Sequence, residues 1–374
     1  MIWWSISHHR ATGRQPDLPT VVDNTSGLTS IKRSQLCWIW LTFALLTPLI
    51  GCAPENSAAH LQEYQTRLAR TLDISIPSLP EALPLPYPTR HELLKHPTEI
   101  AIDLTELYKI QTCELGSLVA QRNTALGKVQ AYSVRLHYEH TLLAALSQCI
   151  AFYQQSEVTS EESISLLPTL QHWQAIKQAD LTVHWSNMLT LSEETKQAFS
   201  RPIPDLLVSP QLDITGQVAG LAQLNAYQTS GTSQAKKLEN QLQQLAILRL
   251  PASVWLTQQQ LALGLPVITK VLDSALPAQS CGSGRNDDTA AILRNVFYLF
   301  FIEKIQPVGG RINAFHYAFE QVSNEWQQHP DLPDAFKAYL QKQAQEFERY
   351  QQAMKAHINV WQTFLARCNM SPMA

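Results

Sequence analysis

The 374-residue sequence predicts an all-α protein, a multi-helix bundle with long antiparallel helical hairpins, and three observations predict it. Beyond residue 97, apolar residues recur at three- and four-residue steps, the period of a helix that buries one stripe. No long alternation of apolar and polar residues marks a strand, and 13 glycines are few for the turns of a β fold. Hydrophobic residues make up 45% and charged residues 16%, which supplies a packed core and lies outside the disordered class.

The front of the chain reads as an address rather than a fold. Residues 1–31 are a polar, histidine-containing prelude, long enough to suggest that translation starts downstream of Met1. Residues 32–51 follow the order of a cleaved secretory signal: basic Lys32 and Arg33, an uncharged apolar run from Leu36 to Ile50, then small Gly51. That run is shorter than the ~20 residues a spanning helix needs, and Pro48 would interrupt it. Leu49, Ile50, Gly51 and Cys52 resemble the lipobox of bacterial lipoproteins, whose cysteine is acylated and becomes the new N-terminus. The alternatives are a buried thiol at the end of a membrane helix and an inner-membrane protein held by residues 36–51. Ala53 after the cysteine, and not Asp, resembles the outer-membrane sorting pattern.

Residues 52–74 are expected to hold the lipidated tether and a first amphipathic helix, "AAHLQEYQTRLARTL". Residues 75–97 carry Pro77, Pro80, Pro84, Pro86 and Pro88, too closely set for a helix, and are expected to be extended, as a spacer or as a strap across the helices. Residues 98–374 form the expected all-α domain. Asp103 and Glu106 make an Asp-x-x-Glu start. Leu104, Tyr108, Leu115, Leu118 and Val119 lie on one helical stripe that ends near Gly127. A second helix from about Ser133 carries Leu142, Leu146, Cys149 and Tyr153, and the two make an αα-hairpin.

Further helices are expected in "LLPTLQHWQAIKQADLTVHWSNML", "DLLVSPQLDITGQVAGLAQLNAYQ", "SQAKKLENQLQQLAIL" and "WLTQQQLALGLPVITKVL". The segment "DDTAAILRNVFYLFFIEKIQP" is apolar on nearly all sides and is expected at the centre of the bundle. In the last helix Phe336, Leu340, Gln343, Phe347, Tyr350, Met354, His357, Trp361 and Phe364 keep the 3.5-residue period of a coiled-coil seam. Packing inside its own bundle and pairing with a partner are both uses of such a face.

Cys113, Cys149, Cys281 and Cys368 remain beyond the anchor, an even number suited to an exported chain. Cys113 and Cys149 fall at matching heights on the expected hairpin, which leaves Cys281 with Cys368. The alternative is four free thiols.

No catalytic, cofactor or metal signature stands out. The loop "SCGSGRNDDT" has glycines, Arg285 as a possible anion clamp, and Asn286, Asp287 and Asp288 before a helix start, yet it lacks the phosphate-loop pattern. A disulfide-tethered loop with an Asp or Asn cap is the preferred explanation of it. His137 and His140 in "HYEH" are three apart, not the spacing of HExxH. A net charge of −3 without a Lys/Arg run excludes a nucleic-acid partner.

With the lipobox, "QRNTALGKVQAYSVRLHYEHTLLAALSQC" and "GSGRNDDTAAILRNVFYLFFIEKIQP" resemble an uncharacterised family of predicted lipoproteins from Gram-negative, gammaproteobacterial sources. The resemblance implies an outer-membrane, periplasm-facing protein held in the membrane by acyl chains on Cys52, and carries over no other functional residue. The expectation is a binding or scaffolding component with an envelope partner; the alternative is an enzyme or small-ligand receptor with its site at Cys281–Asp288.

Overall fold

A computed structural model describes residues 55–124, 129–155, 161–229, 235–281 and 289–370, and among them the only regular structure is helical. Helix α1 (Ser57–Leu72) opens on Asn56, whose side chain accepts the Ala59 N–H at 2.9 Å, and closes on Asp73 in the left-handed region at φ 52°. Its buried face, Leu61, Tyr64 and Leu68, belongs to the main core, so α1 is part of the helical body.

The proline-rich stretch is a strap. Gln65 Nε2 donates to the Pro77 carbonyl at 2.6 Å, and the Tyr87 hydroxyl donates to the Thr190 carbonyl at 2.9 Å. The Tyr87 ring meets Phe199 and Tyr339. Backbone groups that no helix can satisfy are thus partly paired with side chains of the body.

The first arm of the expected 103–153 hairpin is broken. Asp103 and Glu106 do form the reciprocal cap, with Glu106 N–H to Asp103 Oδ1 at 2.7 Å and Asp103 N–H to Glu106 Oε2 at 3.1 Å. The helical turn Leu104–Lys109 then passes into a 3₁₀ turn, Ile110–Thr112, and Cys113 is extended. The Lys109 carbonyl accepts from the Tyr153 and Thr112 hydroxyls, while the Cys113 N–H bonds to Ile110 instead. Helix α2 (Leu115–Arg122) folds back so closely that a Cβ on Gly116 would stand 3.0 Å from Gln111 Cα. Leu104 and Tyr108 therefore lie exposed, not on a buried stripe.

The long antiparallel hairpin is the next one, α3 (Tyr132–Gln155) against α4 (Glu161–Leu191). Gln174 reaches Ser147 and Lys177 reaches Glu139 across it. Helices α5 (Glu193–Ser200), α6 (Ile214–Gln223) and α7 (Ala235–Leu248) follow. Arg249, at φ 48°, separates α7 from α8 (Leu250–Ala275). The stretch Ala235–Ala278 is long and apolar enough, by length and composition alone, to cross a membrane. In the fold, α8 is the central helix, with Val254, Leu261, Leu265, Ile268 and Leu272 all in the core.

After α9 (Thr289–Val296) the chain runs through a π-helical segment, Phe297–Ile305, into α10 (Gln306–Gln328). This segment was expected at the centre, and it is not there. Phe297, Phe301 and Ile305 face the core, while Ile292 and Leu299 are each 49% exposed. Arg67 and Lys304 cover the Phe300 ring at 5.2 and 5.4 Å, which shelters apolar surface that no helix covers.

Helix α11 (Asp334–Arg367) carries the seam, and every one of its members is buried except Met354, which is half-buried. The seam packs mainly along α8 in the same body. At its end Arg367 donates to the carbonyls of Leu276, Pro277 and Gln279, and the Cys281 and Cys368 sulfurs stand at disulfide distance beside it. Cys113 and Cys149 make the other such pair. Arg367→Met should cost about 1–2 kcal/mol in a urea melt, because it leaves three carbonyls to partly exposed solvent while the sulfur pair still holds the ends together.

Candidate functional site

Outside the main core lies a second, smaller cluster of Ile110, Leu115, Leu142, Leu146, Cys149, Leu170 and Trp173, contributed by the 3₁₀ turn Ile110–Thr112 and by α2, α3 and α4. Against it opens a cavity of about 1010 Å³, at the upper end of the range of small-molecule sites. One wall is the extended stretch from His96 to Ile102.

That wall is fastened by buried polar groups of α4. Asn187 accepts the Lys95 N–H at 3.0 Å and donates to the Lys95 carbonyl at 2.8 Å. Asp180 accepts from the Thr98 backbone at 2.8 Å and from its hydroxyl at 3.1 Å. Both carboxylate oxygens of Asp180 are thereby engaged.

Arg122, Arg135 and Lys177 line the cavity from α2, α3 and α4. Beneath them Glu139 is fully buried, its carboxylate in contact with Arg135 and 3.4 Å from Lys177 Nζ. Burial pushes its carboxyl above the usual range, against the opposing charges of Lys177 and Arg122. His184 Nε2 lies 3.6 Å from the same carboxylate, yet burial, then Lys177 and Arg122, bring the imidazole down to about 4. His184 is therefore neutral near pH 7 and adds no positive charge. Glu99 lines the rim as an exposed carboxylate.

Of the residues singled out from sequence, Cys52 and Arg285, Asn286, Asp287 and Asp288 lie outside the described residues. Cys281, beyond the 3₁₀ turn Leu276–Ala278 that follows α8, is placed against Cys368, 5.0 Å between Cα atoms, and Cys113 against Cys149 at 5.5 Å. His140 Nε2 is 3.0 Å from the Tyr227 carbonyl, which occupies that ring nitrogen. Among the described residues no group of three or more His, Cys, Asp or Glu side chains is placed to hold a metal ion.

The cavity residues escaped sequence reasoning. Within "HYEH" the buried group is Glu139 and not a histidine. Its one local signal is Arg135 four residues earlier, a spacing that equally describes a solvent-facing ion pair.

A search of curated proteins and a search of solved structures each gave no match. A family described as "Protein of unknown function (DUF3080)" matches residues 61–372, from within α1 to beyond the end of α11. With that span covering nearly all of the helical body, the chain belongs to this family.

Proposed function

We propose that this protein is a lipid-anchored binding component of the cell envelope, held at the periplasmic face of the outer membrane by acyl chains on Cys52. The lipobox of Leu49–Cys52 supports the anchor, and the family's lipoprotein character and Gram-negative range are part of the same proposal. Helix α1 begins at Ser57, so residues 53–56 allow a leash of only about 14 Å. The helical body would then stay close to the bilayer.

The observation that carries binding over scaffolding is the cavity, with its cations and apolar walls. The seam of α11, the surface a coiled-coil scaffold would offer, is occupied by α8. A wild-type precursor grown with labelled fatty acid should take up label and Cys52→Ala should not. Equal labelling of the two overturns the anchor. Native mass spectrometry of the protein released gently from membranes should reveal a bound small molecule, and filling the cavity with Val119→Trp should remove it.

A further inference from the structure

We infer that the proline-rich strap carries the face on which the helical body meets the membrane. Leu83, with Leu263 of α8 on the same flank, enters the headgroup boundary of the bilayer that holds the acyl chains of Cys52. This rests on the anchor reading and names the surface that the bilayer touches.

The argument comes from where the strap leads. On α8 the Ser57 hydroxyl donates to Gln260 Oε1 at 2.6 Å, and one turn further a Cβ on Gly264 would meet Leu61. Helix α1 thus follows α8 in the same direction. The strap comes back the other way. Gln65 holds the Pro77 carbonyl, Leu79 would stand 3.8 Å from the same Gly264 Cβ, and Pro84 and Leu85 line a small cleft with Gln259.

An extended chain rises about 3 Å per residue and a helix about 1.5 Å. From Leu79 to Leu83 the strap therefore advances about 12 Å, whereas from Leu61 back to Ser57 the helix advances about 6 Å. Leu83 is carried to the level of the start of α1 and beyond it, the end at which the leash enters.

Composition decides what that end meets. Leu83 is 64% exposed, and Leu263, one turn along α8 from Gln259, is 38% exposed. Pro80, Pro84, Pro86 and Pro266 lie exposed on the same two segments. Residues 77–86 hold one charge, Glu81, and no cation, so attraction to anionic lipid does not drive the contact. Burial of apolar surface does. Pro77, Pro80, Pro84 and Pro86 lack an N–H, which leaves fewer donors to strip of water as the strap nears hydrocarbon. A leash of about 14 Å keeps this end at the bilayer whenever the anchor is inserted, so the bilayer, and not a diffusing protein, is the surface it meets.

The test uses the acylated protein purified from membranes and reconstituted in vesicles of phosphatidylethanolamine and phosphatidylglycerol. A nitrobenzoxadiazole probe is attached at Leu83→Cys or, as a reference, at Tyr108→Cys, each checked for an unchanged circular-dichroism spectrum. Tyr108 is 62% exposed and its helical turn packs on the second cluster, whereas the strap packs on the main core. Emission at position 83 should shift to shorter wavelength on reconstitution. Nitroxide near the headgroups should quench it at least about twofold more than nitroxide at the bilayer centre, since an interfacial group lies only about 5–10 Å deep. Position 108 should show neither effect. Leu263→Asp should reduce the quenching at position 83, and leaving out phosphatidylglycerol should not change it.

If the protein carries fatty-acid label but position 83 is no more quenched than position 108, the inference is overturned and the anchor stands. Quenching that needs phosphatidylglycerol, or that is undiminished by Leu263→Asp, overturns it as well. A chain that takes no label and washes off the vesicles removes the anchor, and the inference falls with it.

Discussion

Replacing His357 with leucine should destabilise the protein by about 2–4 kcal/mol at pH 7, and the penalty should shrink by about 2 kcal/mol at pH 5. His357 is fully buried on α11 in a chain of hydrogen bonds whose directions are mutually consistent. Trp361 Nε1 donates to the Tyr64 hydroxyl at 2.8 Å, leaving that hydroxyl to donate to His357 Nε2 at 2.9 Å. His357 Nδ1 then donates to Thr269 at 2.9 Å, and Thr269 donates to the Leu265 carbonyl at 2.7 Å. The chain ties α1, α8 and α11 together through an otherwise apolar interior.

Leucine there leaves the Tyr64 hydroxyl buried without its acceptor, and it loses the ring contact with Phe301 at 4.7 Å between centroids. The pH dependence follows from linkage. Burial brings the imidazole from 6.5 down to about 3, so between those values the unfolded chain binds a proton that the folded chain does not. Stability from this group is complete above pH 6.5 and is lost as pH falls. By pH 5 the loss is about 2 kcal/mol in the wild type and absent from the variant. His184 and Glu139 titrate in both proteins and touch neither His357 nor its partners, so they cancel in the difference. Urea melts of the two proteins at pH 7 and pH 5 measure it. A penalty that stays constant or grows at pH 5 would overturn the assignment.

How much of this could be read from sequence depended on whether the deciding contact was local. The seam of α11 was legible because eight of its nine positions are buried by one regular stripe, and its period alone carries that information. The reciprocal cap of Asp103 and Glu106 was legible for the same reason. The break at Cys113 was not, since no proline marks it. There the Lys109 carbonyl accepts from Tyr153, 44 residues away, a contact with no local signal.

The Phe297–Ile305 segment misled in the opposite direction. Its composition is that of a buried helix, but two cations contributed by α1 and by the segment itself screen its outer face. The cavity was legible only in fragments. Arg135 and Glu139 lie on one helix four residues apart, whereas Arg122 and Lys177 reach them from two other helices. A charge cluster assembled from three elements has no period to detect.

Removing both cations that hold Glu139 should be far worse than removing all three charges. The double variant Arg135→Met/Lys177→Met should lose about 3–5 kcal/mol at pH 7, because it strands a fully buried carboxylate. Burial already holds that carboxyl above its ordinary range even with Lys177 and Arg122 opposing, and without the two partners it rises further. The folded state then binds the proton more tightly than the unfolded state. The lost stability should therefore return as pH falls toward 5, opposite in sign to His357.

Adding Glu139→Met to the double variant removes the stranded charge and should restore stability at pH 7 to within about 1 kcal/mol of the wild type, as when a buried ion pair is replaced by hydrophobic groups of similar volume. That triple variant separates the stranded charge from the loss of the cluster's contacts. It keeps the apolar end of the cavity, Arg122 and the full helical body. If it cannot regain stability, the Arg135–Glu139–Lys177 cluster is required for the fold itself, and its position at the cavity is not evidence for a ligand.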